Sequence, residues 1–157
     1  MKQQEIKNWR DFEAQVYAHG QALMRHYGVF IHRFSDSRAA GNLVAQQPAD
    51  FLVLPHSGRP TLLELKFSEA HESLRQCFSA MVKPHQLASA RLVSRARGEY
   101  QVLFYSKPAQ QLELWDGLYL AECKAAGQVL ELNRRLLLRE GLAAALDMHT
   151  FKLRKLQ

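Results

Sequence analysis

Apolar residues recur at intervals of three and four near the start of the chain. They are Trp9, Phe12, Val16, Gly20, Leu23 and Tyr27. Side chains with this spacing lie on one face of an α-helix, so the pattern predicts a helix over roughly residues 8 to 27. Gly28 follows directly, and glycine is common just past a helix end.

Shorter apolar runs bounded by turn-forming residues predict β-strands in the remainder of the chain. One begins at Val29, and the others cover residues 49–54, 61–67, 100–105 and 111–115. Residues 56–60 have turn chemistry and would join the second and third strands as a hairpin. Pro84 suits the first turn of a helix that runs to about Ala96. Residues 134–146 have the pattern of a further amphipathic helix, interrupted at Gly141.

The remaining segments predict loops. Residues 68–82 show no clear period and are interpreted as a loop with room for a helical turn, and residues 35–47 are rich in small and polar residues. The order helix, strand, hairpin, helix, strand predicts an α/β fold, a central mixed β-sheet flanked by helices on both sides. At 157 residues we expect one domain, residues 1–157, with a core over about 8–106 and an extension, 107–157, of unassigned role.

The charge balance narrows the range of partners. The chain has 21 Lys and Arg against 15 Asp and Glu, a formal net charge of +6, which favours a polyanion and nucleic acid first. A mildly basic protein without such a partner is the alternative. The two cysteines lack metal-ligand spacing, which argues against a zinc site or a disulfide scaffold and favours a reducing, cytoplasmic location. We expect no signal peptide and no membrane span.

Missing motifs disfavour several catalytic classes. The histidines show no His-Glu-x-x-His or other zinc spacing. No Gly-x-Ser-x-Gly nucleophile motif occurs. No Gly-rich phosphate loop is present either, so a nucleotide cofactor is not expected.

Two acids and a lysine occur on the strands of the predicted hairpin. Asp50 starts the first strand, and Glu64 and Lys66 lie two residues apart on the second, so these two share one face. Magnesium prefers oxygen ligands and usually takes one or two carboxylates together with water and substrate phosphate. Asp50 and Glu64 could form that pair, with the Lys66 ammonium directed at the same phosphate. The set favours metal-dependent phosphodiester hydrolysis.

The Glu-x-Lys spacing by itself is weak evidence. Glu5-Ile6-Lys7 and Glu122-Cys123-Lys124 repeat it elsewhere in the chain. Only the copy at residues 64–66 lies in an apolar strand with an acid at the start of the preceding strand. The alternative interpretation is that Glu64 and Lys66 form the solvated face of an amphipathic edge strand.

The surrounding motifs resemble the PD-(D/E)xK nuclease superfamily. They are Pro-Ala-Asp at 48–50, Glu-Leu-Lys at 64–66 and a helix that opens with Lys-Pro-His-Gln at 83–86. The glutamine after the lysine strand is similar to the Holliday junction resolvase branch, RecU-like proteins in particular. The resemblance covers residue 13 to about residue 105 and implies a restriction-endonuclease-like core. The stalk insertion of RecU-like proteins would fall in the loop at 35–47, which is short for it.

The resemblance also implies roles for individual residues. Asp50 and Glu64 match the acidic metal ligands, and the backbone carbonyl of Leu65 would be a further ligand. Lys66 matches the catalytic lysine. Gln86 matches the helix glutamine that supports the site.

The family carries one more acid on its first helix, for which Glu13 is the better match and Glu5 the weaker. Basic side chains near the motifs are candidate DNA contacts. They are Arg38, Arg75, Lys83, Arg91 and Arg95. Each could also be an ordinary solvated charge, which is the commoner case for a loop arginine such as Arg38.

The activity implied by the resemblance is Mg²⁺-dependent DNA endonuclease activity, with Mn²⁺ as a substitute. Four-way junctions would be the substrate and a homodimer the active form, because resolving a junction needs two symmetric cuts. One alternative is a nuclease of the same type that acts on other DNA, in restriction or end processing. Another is a nuclease fold that only binds nucleic acid or a partner protein.

Overall fold

The computed structural model describes residues 5–34, 46–55 and 58–140. Within these ranges the chain forms a six-stranded sheet, four α-helices and a short 3₁₀ helix. In chain order the elements are α1 (Trp9–Tyr27), β1 (Phe30–Arg33), β2 (Phe51–Leu54), β3 (Thr61–Ser68), α2 (Leu74–Met81), α3 (Pro84–Arg95), β4 (Glu99–Ser106), β5 (Gln111–Asp116), α4 (Gly117–Ala126), the 3₁₀ helix (Leu132–Arg134) and β6 (Leu137–Glu140). No helix in the described ranges is long and apolar enough to cross a membrane.

The strands lie side by side in chain order, from β1 at one edge of the sheet to β6 at the other. β3 and β4 run parallel, and the other neighbouring pairs are antiparallel. A parallel pair needs a crossover connection, which α2 and α3 provide between β3 and β4. The sheet is therefore mixed, with its parallel pair in the middle.

Helices pack on both faces of the sheet and create two apolar cores. On one face, Phe12 and Leu23 of α1 belong to the same buried cluster as Leu63 and Leu65 of β3. On the other face, α2, α3 and α4 pack around the fully buried Trp115. The predicted α/β class, a central mixed sheet flanked by helices, is confirmed.

The first helix begins and ends where the sequence predicts. The side chain of Asn8 caps α1 by accepting a hydrogen bond from the backbone N–H of Asp11, at 3.0 Å. Gly28 ends the helix in the left-handed conformation, with φ of 64°, which glycine adopts at little cost. Inside the helix, a Cβ on Gly20 would lie 2.5 Å from Cδ1 of Ile31. Glycine therefore lets β1 pack closely against α1.

The predicted hairpin is also present. β2 and β3 pair antiparallel, with Phe51 opposite Leu63 and Val53 opposite Thr61. β3 is eight residues long and β2 only four, so β3 extends beyond the end of its partner. The extension carries the Glu-x-Lys motif.

Three elements differ from the sequence prediction. Residues 68–82 contain α2, a helix of eight residues capped by the side chain of Ser73, rather than a loop with one turn. The predicted amphipathic helix over 134–146 is wrong where the structure describes it, because Leu137–Glu140 form β6 and pair with β5. The leucines and charges there match a helical period by chance, and pairing with a neighbouring strand outweighs it. Residues 141–146 lie outside the described residues. The helix α4 was not predicted.

Candidate active site

Asp50 lies at the point where β1, β2 and the extension of β3 meet. Its backbone carbonyl accepts a hydrogen bond from Phe34 N, at 2.9 Å, which continues the pairing of β1 with β2. Its side-chain Oδ2 accepts a hydrogen bond from Leu65 N, at 2.7 Å. The Asp50 carboxylate thus takes the place of a backbone carbonyl beside β3 and is fixed against this strand.

The backbone of Leu65 is directed at Asp50. The N–H and C=O groups of one strand residue point to the same side of the strand, as shown by the paired bonds that such residues exchange in a ladder. Because the N–H of Leu65 binds Asp50, its carbonyl also points to the Asp50 side. The Leu65 carbonyl, which the resemblance implies as a metal ligand, therefore lies on the same side of β3 as Asp50, the predicted acidic ligand.

Glu64 and Lys66 share the face of β3 that is covered by α3. Glu64 is buried, with 6% of its surface exposed. Its Oε1 accepts a hydrogen bond from Lys66 Nζ, at 2.7 Å, and a second, short one from Gln86 Nε2. The alternative interpretation, a solvated face of an edge strand, is wrong because β3 is an interior strand and Glu64 is buried.

Gln86 connects the helix to this strand. It is buried at the third position of α3, and its Oε1 accepts a hydrogen bond from the backbone N–H of Lys83, at 2.9 Å. This is the glutamine half of a capping box, with Pro84 filling the first helical position. Helix capping therefore fixes the amide orientation, and the amide in turn holds the Glu64 carboxylate.

Glu13 lines the same region from α1, which packs on the face of the sheet opposite to α3. Its Oε2 is paired with the guanidinium of Arg33 at 2.8 Å, and 18% of its side chain is exposed. Glu5, the weaker match, lies before α1, is exposed, and acts electrostatically on Tyr105 instead. The structure therefore brings Glu13, rather than Glu5, to the site.

These residues line two depressions that meet at the acids. The first, here called the acidic cleft, has a volume of about 350 Å³. Its lining includes Trp9, Glu13, Arg33, Phe34, Gln46, Asp50, Glu64, His85 and Gln86. The second, here called the lysine groove, has about 270 Å³ and is lined by Lys66, Phe67, Met81 and Leu65 in addition to Trp9, Asp50 and Glu64. The two acids and Trp9 belong to both, so an extended ligand can contact the acids and the lysine together.

The electrostatics of the cleft favour a cation. Burial, and next the charge of Glu64, raise the pKa of Asp50 from 3.8 to about 7, with a smaller contribution from Glu13. The Leu65 N–H and the Lys66 ammonium oppose this shift but do not cancel it. A cation between the carboxylates would remove the repulsion that raises this pKa.

Tyr100 is a site residue that the sequence analysis missed. It is buried on β4 opposite Leu62, and its hydroxyl donates a hydrogen bond to the carbonyl of Pro48, at 2.8 Å. Burial, followed by the charges of Glu64 and Asp50, raises the pKa of Tyr100, so the hydroxyl remains a neutral donor. Tyr100 fixes the segment that leads into Asp50. Only the parallel register of β3 with β4 reveals this contact.

The predicted DNA contacts do not form one cluster around the acids. Lys83 is exposed and adjoins the site, because its backbone N–H binds Gln86. Arg91 is half-buried and donates to the Ala121 carbonyl of α4, whereas Arg95 is exposed at the far end of α3, about 13 Å along the axis from Gln86.

The other two predicted DNA contacts are Arg75 and Arg38. Arg75 is exposed and lines a separate depression between α2 and α4. Arg38 lies outside the described residues. Their contact with DNA stays a prediction.

The donor set fits a magnesium ion in part. Among the described residues, no three His, Cys, Asp or Glu side chains are grouped closely enough to hold a metal. Magnesium commonly takes only one or two carboxylates and completes its shell with water, and Asp50 with Glu64 meets that requirement. Glu13 is bound to Arg33, so it would have to leave that ion pair to become a ligand.

The comparisons with known proteins add little. No protein-family model and no curated protein matches the chain. Among solved structures, the chain is similar to the 1.6 Å structure of Hjc, a Holliday junction resolvase from the archaeal hyperthermophile Archaeoglobus fulgidus. The identity is 12% and the TM-score 0.41, over 69% of this chain and 73% of that chain. A likeness of this degree carries no functional inference.

Proposed function

We propose that the protein is a metal-dependent nuclease with a restriction-endonuclease-like core that hydrolyses phosphodiester bonds in DNA. The observation that carries this proposal is the position of Glu64. It is a buried carboxylate on an interior strand, bonded to both Lys66 and Gln86 and lying beside Asp50 at an open cleft. A carboxylate with a purely structural role would need only hydrogen-bond and ion-pair partners. Glu64 also lines a cleft that a ligand can enter.

Each residue of the site has a distinct task in this proposal. Asp50 and Glu64 would hold Mg²⁺, with Mn²⁺ as a substitute, and the carbonyl of Leu65 faces the same side as Asp50. The bound cation would supply Lewis-acid stabilisation of the phosphate and activation of water. Lys66 lines the lysine groove, and its ammonium, which is bonded to Glu64, would also neutralise a phosphate oxygen and orient the strand. Gln86 and Tyr100 position the ligands rather than touch the substrate.

Branched DNA, and the four-way junction in particular, is the substrate that we propose within this class. The resemblance of the motifs to the RecU-like branch supports it, together with the net charge of +6. A homodimer would present two such sites to the two strands that must be cut. Nuclease activity on other DNA is the competing possibility.

The experiment is a cleavage assay on a substrate panel. Purified protein with Mg²⁺ is incubated with labelled duplex, flap, single-stranded and four-way DNA of the same sequence. We expect cleavage of the four-way junction to exceed that of the other substrates, and Lys66→Ala to reduce it by at least about 100-fold, the scale of losing one transition-state charge contact. Preference for another substrate would reject the junction assignment alone.

The chain provides a matched control for the lysine variant. Lys124 ends another Glu-x-Lys sequence but is exposed on α4, where its Nζ lies 3.2 Å from Ser79 Oγ. Lys124→Ala should cleave like the wild type. Equal activity of Lys66→Ala and Lys124→Ala would reject the proposed mechanism, and no cleavage with any divalent metal would reject the enzyme in favour of a binding protein.

A further inference from the structure

The edge strand β1 and the residue that follows it carry a row of aromatic side chains, two exposed and one partly buried, that the proposed chemistry does not use. Phe30, His32 and Phe34 alternate along the chain and so project from one side of the sheet. The rings of Phe30 and His32 are parallel within 2°, with centroids 6.5 Å apart, and those of His32 and Phe34 meet edge to face at 5.5 Å. These three residues are here called the aromatic stripe.

The stripe is open to solvent at its outer end. Phe30 is 48% exposed, and His32 is exposed as well. Ile31, between Phe30 and His32, is instead buried against α1, whereas Arg33 is exposed. Opposite Phe30, Leu54 of β2 is 39% exposed, which widens the apolar surface. Exposed aromatic residues in a contiguous row are a feature of interaction sites.

The inner end of the stripe leads to the acids. Phe34 lines the acidic cleft, and its backbone N–H binds the carbonyl of Asp50. An extended ligand that lies along the stripe would therefore reach the cleft that Asp50 and Glu64 line. Proteins that hold unpaired nucleotides combine a row of aromatic side chains with positive charge along the backbone path. The aromatic row is present here, and Arg33 is the basic side chain among the residues that line the acidic cleft.

We propose that the aromatic stripe is a stacking surface for the unpaired bases of a nucleic-acid strand whose backbone enters the acidic cleft. The net charge of +6 suits a polyanionic strand. A second copy of this chain is a poorer occupant, because a stable interface takes about 20 to 30 residues a side and the stripe offers three. What lies in the cleft rests on the proposed nuclease function, but binding to the stripe can be measured without cleavage.

The test compares two strands that differ only in their bases. Fluorescence anisotropy in EDTA gives Kd for a labelled oligothymidine and for an abasic strand with the same number of phosphates. The wild type should bind oligothymidine more tightly. Phe30→Ala should raise Kd for oligothymidine about 5- to 150-fold, the scale of one lost stacking contact, and leave the abasic strand unchanged. Leu92→Ala, which truncates an exposed apolar side chain on α3 (63% exposed), should change neither Kd.

Further variants separate stacking from other causes. Phe30→Leu keeps an apolar side chain but removes the ring, so it should lose affinity like Phe30→Ala. His32→Ala repeats the test at a second ring if Phe30→Ala fails to fold. Wild-type affinity of Phe30→Leu would overturn the inference. So would a change from dimer to monomer in sedimentation with Kd unchanged, since the stripe would then be an interface between copies.

The outcomes also separate this inference from the proposed function. If the wild type cleaves no DNA but the variants lose base-dependent binding, the nuclease is rejected and the stacking surface stands. If the wild type cleaves DNA and the variants bind like the wild type, the stacking surface alone is rejected.

Discussion

Replacing Asp50 with asparagine is expected to stabilise the metal-free protein at pH 8. In the folded protein the pKa of Asp50 is raised from 3.8 to about 7 by burial and by the charge of Glu64. The folded state therefore binds this proton more tightly than the unfolded chain does. Stability from this group is fully present below pH of about 4, falls as pH rises toward 7, and stays at its lowest value above it.

The size of the effect follows from that difference in pKa. A separation of about 3 units, at about 1.4 kcal/mol each, makes ionised Asp50 cost on the order of 4 kcal/mol of folding free energy at pH 8. Asparagine carries no charge but keeps an oxygen that can accept the hydrogen bond from Leu65 N. We therefore expect Asp50→Asn to be more stable than the wild type by about 2 to 4 kcal/mol at pH 8, and by close to nothing at pH 4.

Urea unfolding in EDTA at several pH values between 4 and 8 measures this directly. Glu122→Gln, which neutralises an exposed acid on α4, serves as the matched control and should show no such gain at pH 8. An Asp50→Asn variant that gains equally at pH 4 and pH 8, or that loses stability at pH 8, would refute the reasoning. The first result would mean that ionisation is not the cause, and the second that the carboxylate is well stabilised without a cation.

Three other predictions concern the same site. Because a proton competes with a cation for Asp50, Mg²⁺ affinity measured by calorimetry should weaken about tenfold per pH unit below 7, and stay constant above it. Tyr100→Phe removes the hydrogen bond to the Pro48 carbonyl and should cost about 1 to 2 kcal/mol in urea unfolding, together with weaker Mg²⁺ binding; unchanged Mg²⁺ affinity would limit Tyr100 to a role in folding. Trp9 lines the cleft whereas Trp115 is fully buried, so Mg²⁺ or DNA should change the intrinsic fluorescence of the wild type but not of Trp9→Phe.

The sequence predicts best those elements in which the spacing of apolar residues is enough to determine the structure. The apolar face of α1 has five turns of consistent spacing, and its caps at Asn8 and Gly28 stand at the expected ends. α2 has only two turns, so Leu74, Cys77 and Phe78 are too few to establish a period. β6 is predicted wrongly for a different reason. A local helical pattern is present there, but pairing with β5 overrides it.

The candidate site is predictable to the extent that it is local. Asp50 and Glu64 lie on the two strands of one hairpin, and alternation along β3 puts Lys66 on the same face as Glu64. Tyr100 and Gln86 reach the site through the crossover between β3 and β4. Hairpin geometry follows from short-range sequence, whereas the register of a parallel pair depends on how the crossover helices pack. A motif can therefore suggest Gln86, but no short-range pattern suggests Tyr100.

A second buried glutamate shows why the site at β3 is more than a buried charge. Glu113 of β5 is 1% exposed and faces the same core as Glu64. Its carboxylate accepts hydrogen bonds from Trp115 Nε1 at 2.9 Å and from the backbone N–H at the start of α2 at 3.0 Å, and it pairs with Arg135 at 3.0 Å.

Glu113 therefore has a cation and two further donors, and it lines none of the described depressions around the acids. Glu64 also has a cation, Lys66, but it lies beside Asp50 and repels it, and both acids face an open cleft. If folding stability alone decided the arrangement, Glu64 would be expected to have surroundings like those of Glu113. A buried carboxylate paired with a cation costs less folding free energy than two carboxylates that repel each other. An acidic pair whose repulsion Lys66 does not cancel, kept at an opening, costs stability and is explained if a cation binds there.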